Sequence, residues 1–333
     1  MYDLEEKRLV REVVDRRAHR VLIQLPDGLK QEGFRLARFL ENKAGVEVVV
    51  SADPCYGACD VAFSDAEQMR ADLIVHYGHT PSVFPAKIPT VYLEARVKED
   101  MTKAIKKALP FLANLRRIGV ATTIQHIHEL ENVKRILKDE GKIVLIGKAR
   151  GNIKYDGQVL GCDFTAVNSI ANEADGFLFV GGGNFHALGI ALATGKRVVV
   201  ADPYLNEARE IENLKRKVLR QRWATICKAK KAQRFGIIIG LKPGQTNLQL
   251  VAKVKRELQT RGKRALLICM REITPEKLLA FSEIDAFVNT ACPRVAIDDA
   301  IQVKKPVLTS DETLIMLGRM PWEAYAKENA PKT

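Results

Sequence analysis

The chain is poor in aromatic residues, has no long apolar run and carries few cysteines, and each shortage closes a class of function. Aromatics make up 6% of 333 residues, with 2 tryptophans, which leaves little equipment for stacking single-stranded bases. No apolar stretch approaches the ~18 residues of a membrane-spanning helix, so no membrane partner is expected. The opening residues Met1-Tyr2-Asp3-Leu4-Glu5-Glu6 have neither the basic patch nor the apolar segment of a secretory signal, so a cytoplasmic location is expected. Six cysteines are too few for a disulfide scaffold, and none form the C-x2-C pairs of closed zinc sites. In a reducing compartment such cysteines are core residues, metal ligands or reactive thiols.

Acidic residues are also short, with 40 Asp and Glu against 53 Lys and Arg, a net charge of +13. Much of the excess is local. From Asn213 to Arg234 there are nine bases (Lys215, Arg216, Lys217, Arg220, Arg222, Lys228, Lys230, Lys231, Arg234) and no acid. Such a stripe suits docking to RNA or to an acidic protein surface. It equally suits the solvated face of a helix, because Ile211, Leu214, Val218 and Ile226 keep a helical apolar rhythm beneath it. With so few aromatics nearby, nucleic acid is not favoured.

What is present is repetition. Arg20-Val-Leu-Ile-Gln-Leu25, Arg117-Ile-Gly-Val-Ala-Thr122 and Arg234-Phe-Gly-Ile-Ile-Ile239 are β-branched runs, each followed by an amphipathic helix and then by Val46–Val50, Ile143–Ile146 or Ala265–Ile268. Strands alternating with helices mean βαβ units and parallel sheets. The expected fold is α/β, with three homologous βαβ-type domains of parallel sheet around a pseudo-threefold centre. The expected domains are residues 1–112, 113–210 and 211–333, the last beginning with the basic helix.

The third strand of each repeat sets a register. Ala71-Asp-Leu-Ile-Val75 matches Ala174-Asp-Gly-Phe-Leu178, and the latter matches Ile284-Asp-Ala-Phe-Val288. In this register Cys59 coincides with Cys162, but the third slot is Glu272. Cys292 lies beyond the third strand of the last repeat, aligned with Gly182 and His79. That is the carboxyl edge, where open α/β sheets bind ligands. Cys59, Cys162 and Cys292 are therefore candidates to converge. Three thiolates from distant loops suit a [4Fe–4S] cluster with one iron left open; plain core cysteines are the alternative. Cys269, in an apolar run, reads as a buried inert thiol, Cys227 as a helix–core contact, and Cys55 as a residue packed at its turn.

Other loops at the same edge are suited to a small molecule. The glycines of Val180-Gly-Gly-Gly-Asn-Phe-His186 permit close backbone approach, and free N–H groups there favour an anion. Gly181, Gly182 and Gly183, with Gly78 and His79 in the matching turn of the first repeat, are the candidate cofactor contacts. Ordinary turn chemistry is the alternative. His126, His128 and His186 read as satisfied loop histidines.

Taken in order, Leu25-Pro-Asp-Gly28, Asp53-Pro-Cys-Tyr-Gly-Ala-Cys-Asp60, His76-Tyr-Gly-His79, Gln158-Val-Leu-Gly-Cys162, Val180-Gly-Gly-Gly-Asn-Phe-His186 and Thr290-Ala-Cys-Pro-Arg294 resemble the diphthamide synthesis family, the 2-(3-amino-3-carboxypropyl)histidine synthases, and especially its archaeal members. The resemblance runs from about Arg20 to Leu317. It implies one cluster cysteine per domain, here Cys59, Cys162 and Cys292, and leaves out Cys55. It also implies a noncanonical radical enzyme that transfers the 3-amino-3-carboxypropyl group of S-adenosylmethionine to C2 of a histidine on translation elongation factor 2. No catalytic acid or base is named. A homodimer is implied; the electron donor is not. Two rivals remain at this point. One is a quinolinate synthase-like hydro-lyase, whose open iron acts as a Lewis acid, and the other a basic RNA-binding protein with structural cysteines.

Overall fold

Runs rich in Val, Ile and Leu that are buried on both faces build parallel sheets, and three such sheets form the molecule. The computed structural model describes residues 2–81, 87–297 and 303–326. In the first repeat, β1 (Tyr2–Asp3) leads in, followed by β2 (Arg20–Gln24), β3 (Glu47–Val50), β4 (Leu73–Tyr77), β5 (Thr90–Leu93) and β6 (Arg96–Val97). The sheet order is β3-β2-β4-β5, all parallel, while β1 and β6 form a separate antiparallel ribbon. The second repeat has β7 (Arg117–Thr122), β8 (Ile143–Leu145), β9 (Gly176–Val180), β10 (Arg197–Asp202) and an antiparallel β11 (Glu207–Glu210), in the order β11-β10-β9-β7-β8. The third has β12 (Arg234–Gly240), β13 (Arg264–Met270), β14 (Ala286–Asn289) and β15 (Val307–Thr309), in the order β13-β12-β14-β15. Second–first–third–fourth is thus the parallel order three times over. The fourth strand of each sheet goes beyond the three expected. In the outer two repeats it is a run of 3 or 4 residues, too short to show a period.

The register aspartates do one job in all three repeats. Asp72 accepts from the backbone N–H groups of His19 (2.9 Å) and Arg20 (3.2 Å). Asp175 accepts from Arg116 (2.9 Å) and Arg117 (2.7 Å), and Asp285 from Gln233 (3.0 Å) and Arg234 (2.8 Å). Each carboxylate pins the start of the third strand to the start of the first, which aligns their carboxyl ends.

Helices cover the sheets by their apolar faces. Thr102–Ala108 precedes residue 112, yet Ala104, Ile105 and Ala108 join Ile118, Val120 and Leu178 in a core of the second repeat. The basic helix Glu212–Ala229 sends Val218 to the second repeat and Ile226 and Ala229 to the third. Lys215 and Arg222 are buried in it, so they belong to the packing rather than to a solvated stripe. Two cysteine expectations are overturned. Cys227 is exposed, because it lies about 100° round the helix from Ile226. Cys269 is also exposed, because β13 is an edge strand, and Leu267, which shares its face, is exposed with it.

The carboxyl edges of the sheets meet in pairs. Gln125, after β7, donates through Nε2 to the Gly78 carbonyl after β4 at 2.7 Å. Arg294, after β14, stacks on the Phe185 ring after β9, 4.7 Å from its centroid. Gly244, after β12, donates its N–H to the Cys59 carbonyl after β3 at 2.9 Å.

Candidate active site

Three loops at these edges carry the candidate cysteines, and each is tied down by hydrogen bonds. Cys59 sits in the short turn Ala58–Asp60, which follows β3. Its thiol accepts from Gln245 Nε2 at 3.5 Å, across the junction with the third repeat. Cys162 lies in a reverse turn closed by reciprocal backbone hydrogen bonds between Leu160 and Asp163 at 3.1 and 3.3 Å. Gly161 is required there, since a Cβ would stand 2.3 Å from the Phe185 ring. Cys292 precedes the helix Pro293–Ile297, and its carbonyl accepts from Asn289 Nδ2 at 2.7 Å.

These loops bring the thiols into one neighbourhood. Solvent reaches Cys162, but protein crowds it enough that burial, with the like charges of Cys59 and Cys292, pushes its thiol up to about 11. Burial pushes the Cys59 thiol up too, against the hydrogen bond from Gln245. Thiols gathered from three repeats yet disfavoured as bare thiolates fit a positively charged iron centre that would compensate them. In the third repeat the slot held elsewhere by cysteine is Glu272, as the register indicates. Its carboxylate takes Lys242 Nζ at 2.7 Å, which also reaches Asp60 at 2.7 Å. That residue ties the first repeat to the third instead of supplying a fourth thiol.

A cavity of about 440 Å³ opens between the first and second sheets, lined by Gly78, Gln125, His126, Gly182, His186 and Tyr204 among others. This is within the size range of small-molecule sites. Of the five residues expected at a cofactor, Gly78 and Gly182 line it. Gly78 has φ +81°, and a Cβ would meet Pro26 at 2.9 Å. The neighbouring loop is partly self-satisfied: Gly181 donates its N–H to the Ala201 carbonyl at 3.0 Å, and Gly183 to Asp202 Oδ2 at 3.2 Å. His79 turns instead toward His76.

His126 was expected to be satisfied and is not. It is 2% exposed, and its Nδ1 has no hydrogen-bond partner among the described residues. Burial, with His128 nearby, pulls it down to about 4, against Asp202. Its ring centroid is 5.4 Å from that of Tyr204. Sequence reasoning missed both lining residues, although His126 follows β7 at the same ligand-binding edge. His186 and Phe185 connect the two parts of the site, one lining the cavity and the other packing on Gly161 and Arg294.

Comparison with known proteins gives the same answer along the whole length. Residues 25–326 match the diphthamide synthesis protein model. The chain is 38% identical over 319 residues to a 2-(3-amino-3-carboxypropyl)histidine synthase of Pyrococcus horikoshii, covering 96% of this chain and 91% of that one. It is 32% identical to subunit 1 of the Kluyveromyces lactis synthase, over 95% of this chain and 75% of the other. A crystal structure of Dph2 from Pyrococcus horikoshii with a 4Fe-4S cluster superposes with a TM-score of 0.90 at 37% identity, covering 96% of this chain and 93% of that one.

Proposed function

The chain belongs to the diphthamide synthesis protein family, and from that premise we propose that it transfers the 3-amino-3-carboxypropyl group of S-adenosylmethionine to C2 of a histidine on translation elongation factor 2. It is a transferase of the 2-(3-amino-3-carboxypropyl)histidine synthase kind. The observation that carries the reading is the gathering of Cys59, Cys162 and Cys292, one from each repeat, with Phe185 on the Cys162 turn and His186 in the wall of a cavity of the right size.

Cys59, Cys162 and Cys292 would hold a [4Fe–4S] cluster, leaving one iron without a protein thiolate. When bound, the cluster would lend one electron to the sulfonium of S-adenosylmethionine, whose bond to the methionine γ-carbon would break to leave methylthioadenosine; the 3-amino-3-carboxypropyl radical would add to imidazole C2, and the adduct would return one electron to the cluster and release the C2 proton. The rest is positioning by the chain. Gly78 and Gly182 keep the cavity open to backbone approach. Tyr204 and His126 offer flat walls to a nucleoside, and His126 stays neutral at ordinary pH. Phe185, wedged between Gly161 and Arg294, fixes the Cys162 turn relative to His186 in the cavity wall.

Pairwise contacts between the three carboxyl edges support a pseudo-threefold centre shared by the three repeats, with the first boundary moved from residue 112 to before Thr102, whose helix packs in the second core. Among the described residues, no helix is long and apolar enough to cross a membrane. A cytoplasmic homodimer served by an external electron donor completes the proposal. Anaerobic reconstitution tests it. About four irons per chain, and methylthioadenosine released on reduction with S-adenosylmethionine, are the expected results; a chain that takes up no iron, or binds no S-adenosylmethionine, overturns the reading.

A further inference from the structure

Next to the turn that carries Cys59 lies a second group of ligand-type side chains that the transfer reaction does not use. One ligand atom from each of Cys55, His76 and His79 lies within 4.8 Å of the other two. Cys55 Sγ is 4.0 Å from His76 Nε2, which is 2.9 Å from His79 Nδ1. Cys55 is 4% exposed and His76 fully buried. Cys55 comes from the loop after β3, His76 from β4, and His79 from the turn that ends it, so three rigidly placed points of the first repeat converge.

The far side of His76 is fixed as well. Gln24 Oε1 accepts from the backbone N–H of Ala62 at 3.1 Å, and Gln24 Nε2 donates to the Asp60 carbonyl at 2.6 Å. A backbone N–H only donates and a carbonyl only accepts, so these two bonds set which end of the amide is oxygen. That oxygen lies 2.8 Å from His76 Nδ1. Nδ1 therefore carries the proton, and Nε2 turns its lone pair toward Cys55 and His79. A carbonyl oxygen gripping the outer nitrogen of an imidazole, while the inner one faces a thiol and another imidazole, is how the rings that ligate transition-metal ions are held in place.

We propose that Cys55, His76 and His79 bind one divalent cation of the zinc class, at a site separate from the three cluster cysteines. One thiolate and two imidazoles favour zinc over magnesium or calcium, and leave a fourth position to water or another donor. The spacing is close to what such an ion needs. Tetrahedral zinc with its usual bond lengths puts two nitrogens roughly 3.3 Å apart, and sulfur and nitrogen roughly 3.6 Å apart. The observed 2.9 and 4.0 Å lie on either side of those values, and Cys55 lies within 4.8 Å of His79, so the two imidazoles must part by about 0.4 Å while the thiol closes on them by up to about 1 Å. Without a cation, burial pushes the Cys55 thiol up to about 12 and holds His76 well below the usual histidine range. Binding exchanges the thiol proton of Cys55 for the ion, so one proton is released from it per metal bound. The inference does not depend on the transferase reading.

The test uses the full chain, stripped with chelator, loaded anaerobically with Zn²⁺ and washed, with zinc and iron counted together by mass spectrometry. One zinc per chain is expected in the parent, and equally in a Cys59→Ala, Cys162→Ala, Cys292→Ala variant, whatever iron that variant retains. Cys55→Ser and His79→Gln should each weaken zinc binding by at least the roughly 10–100-fold that loss of an outer-shell partner costs. X-ray absorption at the zinc edge of the parent should read one sulfur and two imidazoles, and this decides alone if the variants fail to fold. The proposal is overturned by a parent that keeps no zinc, by zinc that disappears with the cluster cysteines, by zinc unaffected in Cys55→Ser, or by a spectrum without that ligand set. Iron counts from the same samples report on the cluster independently.

Discussion

At the scale of single residues, a cysteine matters by where its strand ends rather than by what surrounds it in sequence. Replacing Cys59, Cys162 or Cys292 with Ala should leave two thiolates for a cuboidal cluster and lose or degrade it. Iron and sulfide counts and the visible spectrum check this, and Cys227→Ala and Cys269→Ala should keep the full cluster. A full cluster in Cys292→Ala would remove the third assignment. The nearness of Cys59 and Cys162 was legible because the repeat register needs no gaps between them, and that of Cys292 because it follows a strand at the ligand-binding edge; their part in holding a cluster is the proposal. Cys227 and Cys269 were misread because apolar neighbours show that an element is packed, but not which side of it is. Gly182 gives a second prediction. A Cβ there would lie 2.8 Å from Tyr204 Cδ2, so Gly182→Val drives the Tyr204 ring into the cavity. Overpacking of about 1–3 kcal/mol corresponds to roughly 5- to 150-fold weaker S-adenosylmethionine binding, with the fold retained. Calorimetry checks it, and unchanged affinity would remove Gly182 from the binding wall.

At the scale of elements, the helix Glu212–Ala229 shows how a charge count divides once packing is known. Arg222 is not a docking residue. Its Nε donates to Glu312 at 2.7 Å, and its other nitrogens reach the carbonyls of Ala296 and Val307, each at 2.6 Å. Glu312 is itself fully buried, caps the helix Ser310–Met316 through Thr309, and accepts from the Tyr325 hydroxyl at 2.9 Å. Arg222→Ala would strand that carboxylate, at a cost of about 3–5 kcal/mol, which urea unfolding would measure. Lys215 Nζ likewise serves the Gly195 carbonyl at 3.1 Å. Of the bases that stay exposed, Lys217, Arg220 and Lys230 are the ones expected to help dock the proposed protein substrate. Changing these three to Ser should lower kcat/KM for that substrate by about tenfold at low salt and less at high salt, because surface charge acts mainly on encounter. Reductive cleavage of S-adenosylmethionine alone should be unaffected; equal losses in both assays would make the helix purely structural. The main strands and their parallel pairing were legible, since each long β-branched run became a strand. The fourth strands of the outer repeats were not, because Thr90–Leu93 and Val307–Thr309 are recruited by neighbours rather than by any pattern of their own.

At the scale of the whole molecule, the junctions between repeats are where pH should act. Contacts such as Gln125 with Gly78 and Arg294 with Phe185 pack loops against one another, with His126 buried and His186 half-buried along the way. Burial, joined by the positive charge of Arg294 from the third repeat, pulls His186 down to about 4, and burial with His128 does the same to His126. Unfolding returns each to about 6.5. Between these values the unfolded chain binds more protons than the folded one, so the stability gained by keeping both rings neutral is fully present above pH 6.5 and is lost as pH falls toward 4. At pH 5 the loss is at most about 2 kcal/mol for each ring. Urea midpoints of the apoprotein should therefore drop from pH 7 to pH 5. His186→Gln, which cannot take the proton, should flatten that slope by its own share while leaving the carboxylate titration at lower pH in place. A midpoint that does not change between pH 7 and pH 5, or a His186→Gln slope equal to that of the parent, would mean that the junctions open enough in the folded chain to let the proton in.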